Sequence, residues 1–183
     1  MLHAPQEASS LTLLLSDLSQ GRRGLTPAFG QCLAEAASVC LSSQRHISPT
    51  ALLVEGALNS TLELRWAAPN EQGQRCWNDT QNATEHGAYG LAALLVEKMG
   101  YEVVERSKKG TGFDYWLAER NSSGLLFQGL ARLEVSGVLS GTSSDLSRRV
   151  SQKKKQTEVS DGLLPAIIVV VEFGKPCATL VQR

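Results

Sequence analysis

The apolar positions of this chain change period along its length, and each change marks an element. Phe29, Leu33, Ala36, Ala37, Val39 and Cys40 recur every three or four residues, which predicts a helix to about Leu41. Thr26 caps it and Pro27 takes its first helical position. The next two runs are Ala51 to Ala57 and Thr61 to Trp66, joined through Asn59-Ser60. In the second run Leu62, Leu64 and Trp66 fall on one side, so a hairpin with one wet face is expected. Helical spacing returns from Thr84, read as a cap, to Met99, closed by Gly100. Its apolar face is Ala88, Leu91, Ala92, Leu95, Val96 and Met99. Three strands are expected at 101–107, 113–118 and 125–138. Ser143 or Ser144 then caps a basic helix to about Val159. The run 166–173 is apolar enough to be a fully buried strand, and Cys177 to Val181 is a last short one.

Two stretches are less regular. Met1 to about Gly24 is polar apart from Leu11 to Leu18, which is either a short amphipathic helix or a frayed start. Pro69 to Asn82 reads as a polar loop holding Trp77 and Asp79. The organisation that follows is an α/β protein, with a helix and hairpin in residues 1–83 packed on a core of helix, strands, helix and strand in 84–183. No internal repeat is present, and the only low-complexity run is Lys153-Lys154-Lys155.

Composition narrows the partners. At 183 residues and 42% hydrophobic, the chain suits one domain with a full core, or one with a small N-terminal attachment. Lys plus Arg and Asp plus Glu each number 18, which excludes a global field of either sign. Nucleic-acid binding would have to come from a local patch such as Arg148 to Lys155. Cys32, Cys40, Cys76 and Cys177 have no C-x-x-C or metal-finger spacing. With no secretory signal at the N-terminus, reduced and mostly buried thiols in a cytoplasmic protein are expected. The longest apolar run, Ala166 to Val171, is too short to cross a bilayer, so no membrane partner is expected.

Three carboxylates change the picture. Glu85 shares the helix stripe of Ala88 and Ala92; Asp114 lies inside one strand pattern and Glu134 inside the next. Period-two alternation puts Phe113, Tyr115 and Leu117 on one face and Asp114 and Trp116 on the other. In the third strand Leu133 and Val135 oppose Arg132, Glu134 and Ser136. A sheet covered on both sides has no cheap place for Asp114 or Glu134 unless they are paired, hydrogen-bonded or metal-bound. One reading pairs them with Arg132 or Arg106. The other sets two hard carboxylates on neighbouring strands within reach of one Mg²⁺ or Mn²⁺ ion.

This element order, with an acid at Asp114 and another in Leu133-Glu-Val-Ser-Gly137, resembles the core of the PD-(D/E)XK nuclease superfamily, the restriction-endonuclease-like fold. The resemblance covers about residues 84 to 173. It implies a mixed central sheet flanked by helices, and a site in which Glu85, Asp114 and Glu134 bind Mg²⁺ or Mn²⁺ to cut nucleic acid. It implies DNA ahead of RNA as the partner, and by analogy a setting in prokaryotic restriction or anti-phage defence. A further protein partner or a homo-oligomer stays open.

Two departures stand out. Gly112-Phe113 replaces the proline that precedes the family's aspartate, and Ser136 stands where the family carries lysine. A serine cannot orient or deprotonate water as an amine can. Some members supply the cation from the following helix, and here Leu146, Val150, Lys153 and Thr157 form the stripe that faces the sheet. Lys153, with Gln156 one turn on, is the expected compensating pair. The alternative is a degenerate site kept for binding nucleic acid or protein. His86 next to Glu85 lacks a second histidine one turn on and makes no zinc helix; His3 and His46 look incidental.

Overall fold

The computed structural model describes residues 11–120, 130–158 and 164–183. Its strands are β1 (Thr12–Leu14), β2 (Thr50–Gly56), β3 (Ser60–Arg65), β4 (Tyr101–Arg106), β5 (Tyr115–Glu119), β6 (Ala131–Val138), β7 (Ala166–Glu172) and β8 (Cys177–Gln182). Its helices are α1 (Pro27–Ser43), α2 (Glu71–Cys76), α3 (Thr80–Lys98) and α4 (Ser143–Glu158). The strands make one mixed sheet in the order β1-β3-β2-β8-β7-β6-β5-β4. Pairing is parallel for β1/β3, β2/β8 and β6/β7, and antiparallel elsewhere. The N-terminal hairpin joins this same sheet, because β2 runs beside β8 with Leu53 opposite Cys177.

The apolar run 166–173 is the buried strand its composition dictates: every residue of β7 is buried. On one face, Leu133, Val135, Ile167, Val169 and Val171 pack with Leu33, Leu41, Leu91 and Leu95 of α1 and α3. The two helices approach closely at Gly87, where a Cβ would stand 2.9 Å from the Ala37 Cα. Gly137 does the same between sheet and helix. A Cβ there would meet the Thr84 carbonyl oxygen at 2.5 Å, so only glycine lets α3 lie this close to β6.

On the other face α4 lies over β6 and β7. Two arginines fasten its C-terminal end. Buried Arg132 donates to the carbonyls of Thr157 (3.2 Å) and Leu164 (2.8 Å), and Arg183 donates to the Lys154 carbonyl at 2.8 Å. Cations at the last carbonyls of a helix satisfy orphan acceptors and oppose the negative end of its dipole. Arg132 is therefore committed to α4, and Arg106 sits over the Tyr89 and Tyr115 rings at 5.6 Å from each centroid. The arginine-paired reading of the two strand acids fails on both counts.

Several sequence expectations need correction. The leucine patch is no frayed start, and only its second half is helical. Thr12–Leu14 pairs with β3 and Leu15–Gln20 is a 3₁₀ helix, with Leu13, Leu15 and Leu18 buried. The polar loop contains α2, capped by Asn70, and the first turn of α3. Thr84 is no cap: Asp79 accepts from the amides of Gln81 (3.0 Å) and Asn82 (3.2 Å), and the Thr84 hydroxyl donates to the Thr80 carbonyl inside the helix. Strand β5 starts at Tyr115, two residues late, and Phe113 meets Trp116 edge-on (centroids 4.6 Å apart) in place of joining the main core. Burial does not alternate along β6, because α4 covers its second face. Thr142, not a serine, caps α4, exchanging hydrogen bonds with Asp145. Residues 125–129 of the expected third strand, Val159 of the expected helix and His3 lie outside the described residues. All four cysteines are free thiols, but Cys32 and Cys76 are exposed, not buried. Among the described residues no helix is long and apolar enough to cross a membrane.

Candidate functional site

Register fixes the two strand acids. Leu133 pairs with Tyr115 and Arg132 with Trp116, so Asp114 falls beside Glu134 on the face that α4 covers. Asp114 is tied there through both its backbone and its carboxylate. Its amide donates to the Leu133 carbonyl (2.8 Å), its Oδ2 accepts from the Val135 amide (2.8 Å), and its Oδ1 accepts from the Tyr89 hydroxyl (3.1 Å). The same hydroxyl lies 2.9 Å from Glu85 Oε1. Tyr89 thus links the helix acid to the strand acid, and Glu85 reaches the pair through it.

Glu85 does share the side of α3 that carries Ala88 and Ala92, yet it is exposed. At that height the stripe meets two clefts and not the core. One, of about 560 Å³, is lined by Glu85, Asp114, Glu134, Ser136, Arg149, Lys153 and Gln156 among others. The second, of about 610 Å³, lies on the far side of Tyr89 and Asp114 and is lined by Arg106, Lys108 and Lys109 as well as Gln156. The acids therefore stand where two openings meet, with cations beside each.

Glu134 is 1% exposed, and Lys153 of α4 places its ammonium on Glu134 Oε1. That ammonium also donates to Gln156 Oε1 at 3.3 Å. Glu134 Oε2 is buried with no hydrogen-bond partner. Burial and then the neighbouring Asp114 charge push the Glu134 carboxyl up to about 7, against the opposing pull of Lys153. The Tyr89 hydroxyl is pushed well above its usual range by burial and by both acids around it. It stays a donor at any ordinary pH.

The structure thus brings Glu134, Asp114, Lys153 and Gln156 to one place, with Glu85 one hydroxyl away. Lys153 turns to the sheet, while Lys155 is exposed. Ser136 is buried in the lining of the first cleft. Sequence reasoning missed Tyr89, whose only signal is its place one helical turn after Glu85. It also missed Lys108 and Lys109, which line the second cleft. Trp77 and Asp79 do not enter the site: Trp77 donates to Glu35 (2.8 Å) and packs on His86, and Asp79 is the α3 cap. His46 is not incidental, since its Nε2 bonds the Phe173 carbonyl at 2.9 Å and ties the end of α1 to the β7–β8 turn.

Among the described residues no group of three or more His, Cys, Asp or Glu side chains stands close enough to hold a metal ion unaided. The donor set is two carboxylates in the lining of a cleft, Asp114 half-buried and Glu134 buried. No protein-family model, curated protein or solved structure matches this chain.

Proposed function

We propose that the chain is a metal-dependent hydrolase of phosphodiester bonds in nucleic acid, built on a divergent restriction-endonuclease-like core. One observation carries the reading: a buried carboxylate, Glu134, lies against a second carboxylate, Asp114, with one oxygen unpartnered and an ammonium on the other. An orphaned buried carboxylate oxygen is costly in a fold that does not use it. Mg²⁺ takes one or two carboxylates and completes its shell with water and phosphate oxygens, which suits this donor set better than an all-protein cage.

Asp114 and Glu134 would hold Mg²⁺ or Mn²⁺, and Glu85 would act through the Tyr89 hydroxyl. When bound there, the ion would lower the pKa of a water and neutralise charge on the attacked phosphorus centre. The protein's own groups do the rest. Lys153, fixed from α4, replaces the lysine that Ser136 lacks, holding the attacking water and offsetting charge on the scissile phosphate. Gln156 orients that ammonium. Arg149 on one side and Lys108 and Lys109 on the other supply cations for flanking phosphates. The setting in restriction or anti-phage defence, and DNA ahead of RNA, belong to the same proposal by analogy.

The second reading is a nucleic-acid- or protein-binding module with a degenerate site. The Lys153–Glu134 ion pair favours it, since it neutralises Glu134 without any metal. Incubation with single- and double-stranded DNA and RNA in Mg²⁺ or Mn²⁺ separates the two. Metal-dependent cleavage that disappears in Asp114→Ala supports the hydrolase. Retained binding with no cleavage of any of the four supports the binding module.

A further inference from the structure

The cleft beyond Tyr89 has two carboxylates where it meets the first cleft and only cations elsewhere. Glu85 and Asp114 line both openings, and the remaining charged residues of the second are Arg106, Lys108 and Lys109, all exposed. The turn that carries both lysines closes on the acid residue itself, since the Ser107 amide donates to the Asp114 carbonyl at 2.8 Å. Within that turn the Thr111 hydroxyl donates to the Lys108 carbonyl at 2.9 Å. The lysine-bearing backbone is thus held beside Asp114.

Arg106 differs from the two lysines. Its guanidinium carbon lies over the Tyr89 and Tyr115 rings, 5.6 Å from each centroid, while the side chain stays exposed. Among the described residues no carboxylate forms an ion pair with it. A planar cation resting on aromatic rings and lining an open cleft is a surface on which a nucleobase stacks, and every base has a π-face.

Size points the same way. The two clefts, of about 560 and 610 Å³, match pockets that enclose a small molecule, ~300–1,000 Å³. The acids are recessed, with Glu134 1% exposed and Asp114 half-buried. A duplex is stiff over ~50 nm and carries its phosphates on a convex outer surface, so it does not follow such a recess. A single strand does.

We propose that the nucleic acid taken by this site is single-stranded, with a base next to the cut stacked on Arg106 and the adjoining phosphates on Lys108 and Lys109. Lysine is a point charge without a plane, so it cannot replace Arg106 in this role. The proposal rests on the hydrolase reading for the place of the cut and deepens it by naming the form of the substrate. Binding measured without metal lets the two fail separately.

The probes are fluorescein-labelled oligothymidylate, oligouridylate, an abasic strand and a duplex, all of one length, titrated with the full chain in chelator and followed by anisotropy. One of the two oligonucleotides is expected to bind at least about tenfold more tightly than the duplex and the abasic strand. Which one it is tells DNA from RNA. Arg106→Met keeps a stem over the tyrosine rings and Arg106→Lys keeps the charge; each should lose about tenfold on that oligonucleotide. Should Arg106→Met not fold, Arg106→Lys carries the test. Equal binding of the duplex or of the abasic strand would overturn the proposal, as would an Arg106→Lys protein that binds like the parent. No saturable binding of either oligonucleotide below about 100 µM would also overturn it. Single strands bound through Arg106 with no cleavage in Mg²⁺ would leave this inference standing and remove the hydrolase reading; cleavage of duplex alone would do the reverse.

Discussion

Lys153, in the third turn of α4, sets its ammonium on Glu134 of β6, 19 residues earlier in the chain. It is the one lysine of the 153–155 run that the structure turns to the acid pair. On the hydrolase reading, Lys153→Ala abolishes cleavage, a loss of two or more orders of magnitude, as expected for removing a group that acts on developing charge. Lys155→Ala leaves the turnover rate unchanged and weakens binding in a salt-dependent way. Comparable, mild effects from both would show that the basic run only tracks phosphates.

Proton competition at Glu134 sets a pH dependence. Its carboxyl is raised from the usual 4.5 to about 7, so the folded apo-protein binds a proton more tightly than the unfolded chain. The associated stability is fully present below about pH 4.5 and is lost as pH rises through about 7, at most ~3 kcal/mol. Metal binding needs the ionised form and so strengthens across the same window. Thermal melts at pH 5 and pH 8 should show Mg²⁺ raising Tm at pH 8 and hardly at pH 5. In Lys153→Met the onset moves to higher pH, since the lysine holds the carboxyl down. A Mg²⁺ effect equal at both values counts against Glu134 as the ligand.

Tyr89 makes a separate test possible. Its ring packs edge-on to Tyr115 at 5.5 Å, so Tyr89→Phe keeps the packing and removes only the hydroxyl shared by Asp114 and Glu85. The expected cost in stability is about 1 kcal/mol. The informative readout is metal affinity, which should fall in Tyr89→Phe as Asp114 Oδ1 loses its hydroxyl donor. Affinity unchanged beside a lowered Tm would make Tyr89 structural only.

Gly137→Ala probes how the site depends on the α3–β6 approach. The added methyl would meet backbone, the Thr84 carbonyl, which cannot swing aside as a side chain can. Overpacking of this kind costs about 1–3 kcal/mol and here displaces the helix that carries Glu85 and Tyr89. Chemical denaturation should show that loss together with weaker metal binding. A variant as stable as the parent would mean the helix can move without consequence.

Much of the fold was legible because its signals are periodic. The β7 run, the Leu62/Leu64/Trp66 alternation and the α1 stripe each set one element and its buried side. Boundaries failed where a polar residue serves a helix from outside the apolar pattern: Asp79 and Thr142 both cap one or more residues before the first periodic position. The eight-strand order was not legible, because β2 pairs with β8 across more than a hundred residues and nothing local announces it. At the site, strand alternation placed Asp114 and Glu134 on one face, and helix spacing pointed Lys153 inward. Tyr89 stayed hidden because a tyrosine on an otherwise apolar helix face reads as core. The exposure of Glu85 was missed because a helical wheel gives direction and not the cleft that lies in that direction.

The central claim is that Asp114 and Glu134 together hold a divalent cation. Mn²⁺ binding at pH 8, followed by the loss of its free electron-spin-resonance signal, tests it without requiring turnover or a known substrate. One saturable site is expected in the parent chain, lost in Asp114→Asn and in Glu134→Gln, and retained in Glu172→Gln, which alters a second buried carboxylate with an unpartnered oxygen. Binding that survives both site substitutions, or a folded parent chain that binds no Mn²⁺, contradicts it.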